Sequence, residues 1–216
     1  MKKLIQGILD FRRNLRPSYK EMFARLALGQ RPDALFIACS DSRVVPNLFA
    51  SSDPGDLFVV RNVGNFIPSY TGQQGSADGA SESAAIEFAL LNLPVTEIIV
   101  CGHSECGAMN ALLSVPIQNE ARNLNAWLKH GEGSVRRLIE GGQISPHLER
   151  HNRLSQLNVL EQLDHLRTYP AIRERVTAGR LRLHGWWFDI REAEVHEYRA
   201  SDRCFRLIDE SSLESC

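Results

Sequence analysis

LFIAC (35–39), DLFVVRNV (56–63) and EIIVCGH (97–103) decide the fold. Each is a short apolar run without the polar alternation of a half-buried strand, as expected where a parallel sheet is covered on both faces. Between the second and third lies ESAAIEFALLNL (82–93), in which Ala85, Phe88, Ala89 and Asn92 recur at helical spacing. Strand, helix, strand in this order predicts an α/β fold with right-handed crossovers, built on a mostly parallel central sheet of about four to five strands flanked by helices. Sites in such sheets lie at the carboxyl ends of the strands. Cys39 closes the first run and His103 the third, which places a thiol and an imidazole where chemistry is expected.

Outward from this core, Leu4, Ile8, Phe11 and Leu15 put one apolar stripe on an N-terminal helix. Ser18 and Glu21 have the spacing of a capping box, which predicts a second helix closed by Gly29 with Met22, Phe23 and Leu26 facing inward. The two helices form an arm over residues 1–29. The Gly-, Ser- and Pro-rich stretch GNFIPSYTGQQGSADGAS (64–81) reads as a loop lining the same end of the sheet. Residues 106–168 read as mostly helical, with Ser145-Pro146 opening a long helix through Leu154, Leu157, Leu160, Leu163 and Leu166 that Tyr169-Pro170 stops. LRLHGWWFDI (181–190), EVHEYRA (194–200) and CFRLID (204–209) are three further strand-like runs. With no internal repeat and no linker, residues 1–216 read as one domain.

The 216 residues are 43% hydrophobic and 24% charged, the composition of a soluble globular protein. Lys and Arg (25) nearly cancel Asp and Glu (26), so no global field exists to hold nucleic acid or an anionic membrane. Five cysteines are an odd, sparse set, a poor basis for a disulfide framework and consistent with a reducing cytoplasm. The N-terminal MKKLIQGILDFRRN is broken by Gln6, Asp10, Arg12 and Arg13, which leaves no signal-peptide core and no membrane span.

Two clusters carry chemistry: Cys39-Ser40-Asp41-Ser42-Arg43 and His103-Ser104-Glu105-Cys106. Cys39, His103 and Cys106 are either small buried side chains beside a capping histidine or a Cys₂His set that leaves one tetrahedral zinc position open. Asp41 either fills that position or turns aside to the planar fork of Arg43, and the pair also has the form of an ordinary loop ion pair. Three residues between Cys39 and Arg43 are too few for a phosphate-wrapping cysteine phosphatase loop. His103-Ser104-Glu105 has the H-x-E form of zinc deaminases but no P-C-x-x-C follows it. Cys101, two residues before His103 on one strand face, is a weaker ligand candidate. Cys204 and Cys216 read as incidental. Trp186 and Trp187 read as core or dimer contacts.

At these residues the chain resembles the β-carbonic anhydrases, through ACSDSRVVPN (38–47), PGDLFVVRNVGN (54–65), AAIEFAL (84–90), IIVCGHSECGAMNALL (98–113) and LHGWWFDI (183–190). The resemblance implies the β-carbonic anhydrase fold, one zinc per subunit on Cys39, His103 and Cys106, and Asp41 and Arg43 as a catalytic dyad. It implies reversible hydration of CO₂ to bicarbonate and a proton by zinc-bound hydroxide, in a homodimer or higher even oligomer built around the arms. Similar members of the plant-like group use a glutamine at the position of Gln30, contributed by the partner subunit, residues matching Phe58, Val63 and a tyrosine at Phe88 for an apolar pocket, and the N–H matching Gly107. Phe88 lacks that tyrosine's hydroxyl. The Trp, Arg and Tyr of the bicarbonate-inhibited group match Phe36, Arg61 and Phe188, so only the arginine is retained; the expectation is an open form with Asp41 on Arg43 and no regulatory bicarbonate site. Hydrolysis of carbonyl sulfide or carbon disulfide at the same zinc, and a non-enzymatic zinc- or bicarbonate-binding interaction protein, are the alternatives. His130, His147, His151, His165, His184 and His196 are all candidates for proton export.

Overall fold

The computed structural model describes residues 1–72, 79–114, 121–142 and 144–215. In chain order α1 (Lys2–Asp10), a π-helical turn (Phe11–Leu15) and α2 (Arg16–Leu26) are followed by β1 (Ala34–Cys39), α3 (Pro46–Phe49), β2 (Leu57–Asn62), α4 (Ala80–Asn92) and β3 (Glu97–His103). Then come α5 (Gly107–Leu113), α6 (Arg122–Leu128), α7 (Glu132–Ile139), α8 (Arg150–Thr168), α9 (Pro170–Thr177), β4 (Arg182–Asp189), β5 (Glu194–Arg199) and β6 (Cys204–Leu207).

The α/β architecture read from the apolar runs is present, with a sheet larger than expected: six strands in the order β2-β1-β3-β4-β5-β6. The first four are mutually parallel and β5 and β6 add antiparallel. β1 is buried along its whole length, and period-two alternation divides its side chains between two cores. Leu35, Ile37 and Cys39 share the larger core with Ile98 and Val100, whereas Phe36 and Ala38 share the smaller with Ile99, Cys101 and Phe188. β2 departs from the expectation of burial on both faces: it is the sheet's edge, and Val59 and Arg61 are exposed.

Three local expectations are corrected. Ser18 caps no new helix, because the chain is already helical from Lys2; its hydroxyl donates instead to the Leu15 carbonyl at 2.7 Å. Pro17 has no N–H to give the helix, and the π turn immediately before it absorbs the disruption. Of the inward face expected on α2, Met22 and Leu26 are half-buried and Phe23 is exposed. The long helix starts at Arg150, since Ser145 has a left-handed φ of 43° and its carbonyl closes a turn to Leu148. The stretch 64–81 begins as buried chain, with Phe66 and Ile67 fully inaccessible; its residues 73–78, like Cys216, lie outside the described residues. Cys204 is a free, half-buried thiol.

The arm keeps its apolar stripe but docks it on nothing among the described residues. No residue of α1, the π turn or α2 is buried, and Leu4, Ile8, Phe11 and Leu15 are 42–66% exposed. The end of the arm is seated: Leu26 packs against Gly55, where an added Cβ would meet its Cδ2 at 2.7 Å. Helix α8 packs on β3 and β4. Gly102 and Gly185 permit this approach, since a Cβ at either would meet a Val159 methyl at 2.8 or 2.9 Å.

His184 on β4 sits between two carboxylates, Glu97 on β3 (Nε2 to Oε2, 2.8 Å) and Glu197 on β5 (Nδ1 to Oε1, 2.9 Å). Arg182 and Arg199 hold the same two glutamates from outside. Both ring nitrogens face acceptors, which favours the imidazolium, and the hydrogen bond to Glu197 leads in raising the His184 pKa while that bond also lowers the Glu197 pKa. A raised histidine pKa stabilises the fold fully below the unfolded value and loses that contribution as pH rises through the folded one; the lowered glutamate pKa contributes above its own unfolded value. The triad is therefore worth most between about pH 4.3 and 6.5. His184→Gln should cost more stability in urea unfolding at pH 6 than at pH 9; an equal cost at both would contradict this.

Candidate metal centre

The chain crosses from β1 to β2 on one side and then returns to β3 on the other, so the crevice at the carboxyl ends of β1 and β3 is the sheet's topological switch point. Cys39 and His103 end these neighbouring strands, and Cys106 follows in the short connection to α5. One ligand atom from each of the three lies within 4.8 Å of the others, and all three residues are buried. The connection can turn this tightly because Glu105 takes a left-handed φ of 56°.

His103 Nδ1 is 2.8 Å from the Ser104 carbonyl, which fixes the proton on that nitrogen and leaves Nε2 as an acceptor. Nε2 is buried and has no hydrogen-bond partner. Cys39 Sγ accepts the Gly64 N–H at 3.4 Å. The Cys39 thiol is held well below its ordinary pKa, first by a hydrogen bond from Cys106 and further by the Gly64 N–H, against the opposing effect of burial. Cys106 is pushed up by its bond to Cys39 and by burial, so one negative charge is shared across the pair. One thiol primed to ionise, a second thiol beside it and an orphaned imidazole nitrogen fit a divalent cation such as zinc, which would favour both thiolates. Cys101 is not in this group: it is packed in the smaller core with Phe36 and Ala38, and its sulfur donates to the Gly102 carbonyl. Burial pushes its thiol up.

Asp41 and Arg43 form a two-pronged pair. Arg43 Nε donates to Asp41 Oδ1 at 2.9 Å and Nη2 to Oδ2 at 2.8 Å, and the Arg43 backbone N–H reaches Oδ1 at 3.0 Å. The Arg43 side chain thus holds the Asp41 carboxyl well below the usual carboxylate range. Arg43 Nη2 also donates to the Glu105 carbonyl at 3.0 Å, which ties the pair to the turn between His103 and Cys106. Arg61 is committed to the carbonyls of Cys39 and Asp41.

The remaining sequence candidates divide. Phe58 of β2 stacks on Phe88 of α4 with ring centroids 5.8 Å apart, and Val63 and Phe88 are each about two-fifths exposed. The Val63 carbonyl accepts the Trp127 indole N–H at 2.7 Å. Gly107 opens α5, and a Cβ there would meet nothing within 4 Å. Gln30 is exposed between the arm and β1. Among the histidines, His151 is bonded to Glu105 at 3.1 Å, whereas His165 faces the Ile67 carbonyl and Glu161. Trp187 is core, and Trp186 packs edge-on against Phe36. Gly64 and the polar residues of α8 were not among the sequence candidates. Their signal was a second, polar row threaded through the leucines of residues 150–168.

A family profile described as carbonic anhydrase matches residues 34–195. The chain is 46% identical over 202 residues to a carbonic anhydrase of Synechocystis sp., spanning 92% of this chain and 71% of that one. It is 40% identical over 205 residues to a carbonic anhydrase of Pseudomonas aeruginosa, spanning 95% and 90%. The solved beta-carbonic anhydrase CcaA superposes with a TM-score of 0.87 at 42% identity over 97% of this chain and 92% of that one. One of two tetrameric beta-carbonic anhydrases from Sordaria macrospora superposes with a TM-score of 0.77 at 30% identity, over 91% and 95%.

Gly64 tests how tightly the site is built. Its φ of 84° costs an L-residue about 1–2 kcal/mol. A Cβ there would meet the Phe66 ring at 2.7 Å and the Ala108 methyl at 2.9 Å. Overpacking of that kind adds about 1–3 kcal/mol. Gly64→Ala should therefore lower the unfolding free energy by roughly 2 kcal/mol or more in denaturant titration.

Proposed function

Because the chain belongs to the β-carbonic anhydrase family, we propose that it catalyses the reversible hydration of carbon dioxide to bicarbonate and a proton, with one zinc ion held by Cys39, His103 and Cys106. The observation that carries this reading is the buried Cys-His-Cys group with an unpartnered His103 Nε2, set beside an Asp41 already bound to Arg43. When bound, zinc supplies the Lewis acidity that makes water a nucleophile near neutral pH.

The protein's own residues supply orientation and exclusion. Asp41, kept ionised by Arg43, is a fixed hydrogen-bond acceptor that aligns the attacking water, and Arg43 holds its plane through two bonds. Phe58, Val63 and Phe88 form an apolar wall suited to a small neutral gas, which explains why a nearly neutral chain needs no charged funnel. Gly107 N–H and Gln30 of a second subunit are the donors for substrate oxygens. Phe88 has no hydroxyl to add a third. The commitment of Arg61 to two carbonyls and of Asp41 to Arg43 supports the open form, without a regulatory bicarbonate site.

The functional unit in this reading is a homodimer or higher even oligomer of single-domain chains, in the cytoplasm, with the exposed stripe of the arm covered by a second copy. Unsheltered, Leu4, Ile8, Phe11 and Leu15 would present a continuous apolar row to water. No described helix is long and apolar enough to cross a membrane.

Cys39→Ser should remove both zinc and activity, measured by metal analysis and CO₂ hydration. Asp41→Asn should keep the zinc and lose turnover by roughly 100-fold or more; a fully active Asp41→Asn variant would overturn the role given to the pair. Assay of the zinc protein with carbon dioxide, carbonyl sulfide and carbon disulfide should show turnover of carbon dioxide. Activity confined to a sulfur substrate would reject the proposed reaction.

A further inference from the structure

Helix α8 carries a row of polar side chains in the core: Asn152, Ser155, Asn158 and Gln162, each no more than 7% exposed. Spacings of three, three and four residues put them on one face, and Ser155 of this row, with Val159, lies against Gly102 of β3. The first three each end on backbone attached to a different part of the Cys39-His103-Cys106 group. Asn152 Oδ1 accepts the Glu105 N–H at 2.8 Å and its Nδ2 donates to Glu105 Oε1 at 3.0 Å, clamping the left-handed residue between His103 and Cys106 from both ends. Ser155 Oγ donates to the His103 carbonyl at 2.8 Å and accepts the Trp187 indole N–H at 3.2 Å. Asn158 Nδ2 donates to the Gly64 carbonyl at 3.0 Å, and it is the Gly64 N–H that bonds Cys39 Sγ.

We infer that Asn152, Ser155 and Asn158 are positioning residues of the metal centre, one rigid helical row that sets the relative placement of all three ligands. The physical reason is that the ligands come from the ends of separate strands and a turn, whose backbones would otherwise relax independently; a single helix bonded to each segment removes that freedom before metal arrives. Ligand-orienting partners of this kind tune metal affinity as well as geometry. Gln162 is the internal control. It is as buried as the others and fully engaged, accepting the Ile67 N–H at 2.7 Å and donating to Asn158 Oδ1 at 2.9 Å, yet it bonds no ligand segment directly.

The inference rests on the reading of Cys39, His103 and Cys106 as metal ligands, and the experiment separates the two. Zinc affinity by chelator competition and the absorption spectrum of the cobalt(II) form are measured for the full chain and for Asn152→Ala, Ser155→Ala, Asn158→Ala and Gln162→Ala. The first three should bind zinc about 10–100-fold more weakly and show shifted thiolate and ligand-field bands. Gln162→Ala should lower the melting temperature while leaving zinc affinity and the cobalt spectrum as in the parent. Loss of stability without any change in affinity or spectrum in the first three would overturn the inference, as would an equal change in Gln162→Ala. If the truncations do not fold, Asn152→Asp, which keeps the acceptor for the Glu105 N–H and loses the donor, should still weaken zinc binding, and parent-like affinity in it would overturn the inference. A parent chain that takes up neither metal would sink the metal reading and this inference together.

Discussion

Parallel pairing of β1 with β3 is the constraint on which the site depends. The register sets Ala38 opposite Cys101, so the two strands finish within a residue of each other, one on Cys39 and the other on His103. Neither side chain could reach the other if the strands ran antiparallel, because their carboxyl ends would then lie at opposite edges. Burial makes the register hard to slip: a one-residue shift would exchange the faces of Leu35, Ile37, Ile98 and Val100 with those of Phe36, Ala38, Ile99 and Cys101, reversing both cores at once.

Packing decides which sulfur takes part. Cys39 and Cys101 are both strand cysteines on neighbouring strands, yet they point into opposite cores, and only the former meets Cys106. Charge follows this division. Around Cys39 the Gly64 N–H and a second thiol favour the anion, whereas burial disfavours it at Cys101. Asp41 lies outside the sulfur group but is joined to it through backbone: Arg61 grips the Cys39 and Asp41 carbonyls together, and Arg43 links the Asp41 carboxylate to the Glu105 carbonyl. Two arginines thus weld the β1 and β3 ends of the crevice into one piece.

The parts of this arrangement that were legible in sequence are those encoded by near neighbours. Apolar runs gave the strands, and a reactive residue at the end of a run gave Cys39 and His103, because strand period and strand end are local properties. Asp41 and Arg43 lie two residues apart and could be paired by inspection. Local motifs misled where a wider context prevailed: Ser18 and Glu21 have capping-box spacing inside a helix that had already begun, and Ser145-Pro146 resembles a helix start although Ser145 is left-handed. The contacts of Asn158 with Gly64 and of Ser155 with His103 join positions 94 and 52 residues apart. Nothing in a periodicity of 3.6 says which distant carbonyl a polar side chain will meet, so these were invisible until the helix was seen on the sheet.

One chain alone leaves the proposed substrate wall half built. Phe58 and Val63 belong to β2 or its end, and β2 is the sheet's edge; Phe88 stands on α4, with Leu91 of the same helix 73% exposed. In the proposed site these residues stand at the β2 edge of the sheet, with Val63, Phe88 and Leu91 exposed. The arm precedes β1 with its own stripe exposed, and Gln30 lies between the arm and β1. In the proposed homodimer, a two-fold pairing of identical chains would cover the exposed arm and the exposed residues of this edge together. In that arrangement the donor expected of Gln30 would come from the second subunit, so assembly and substrate binding would share one surface.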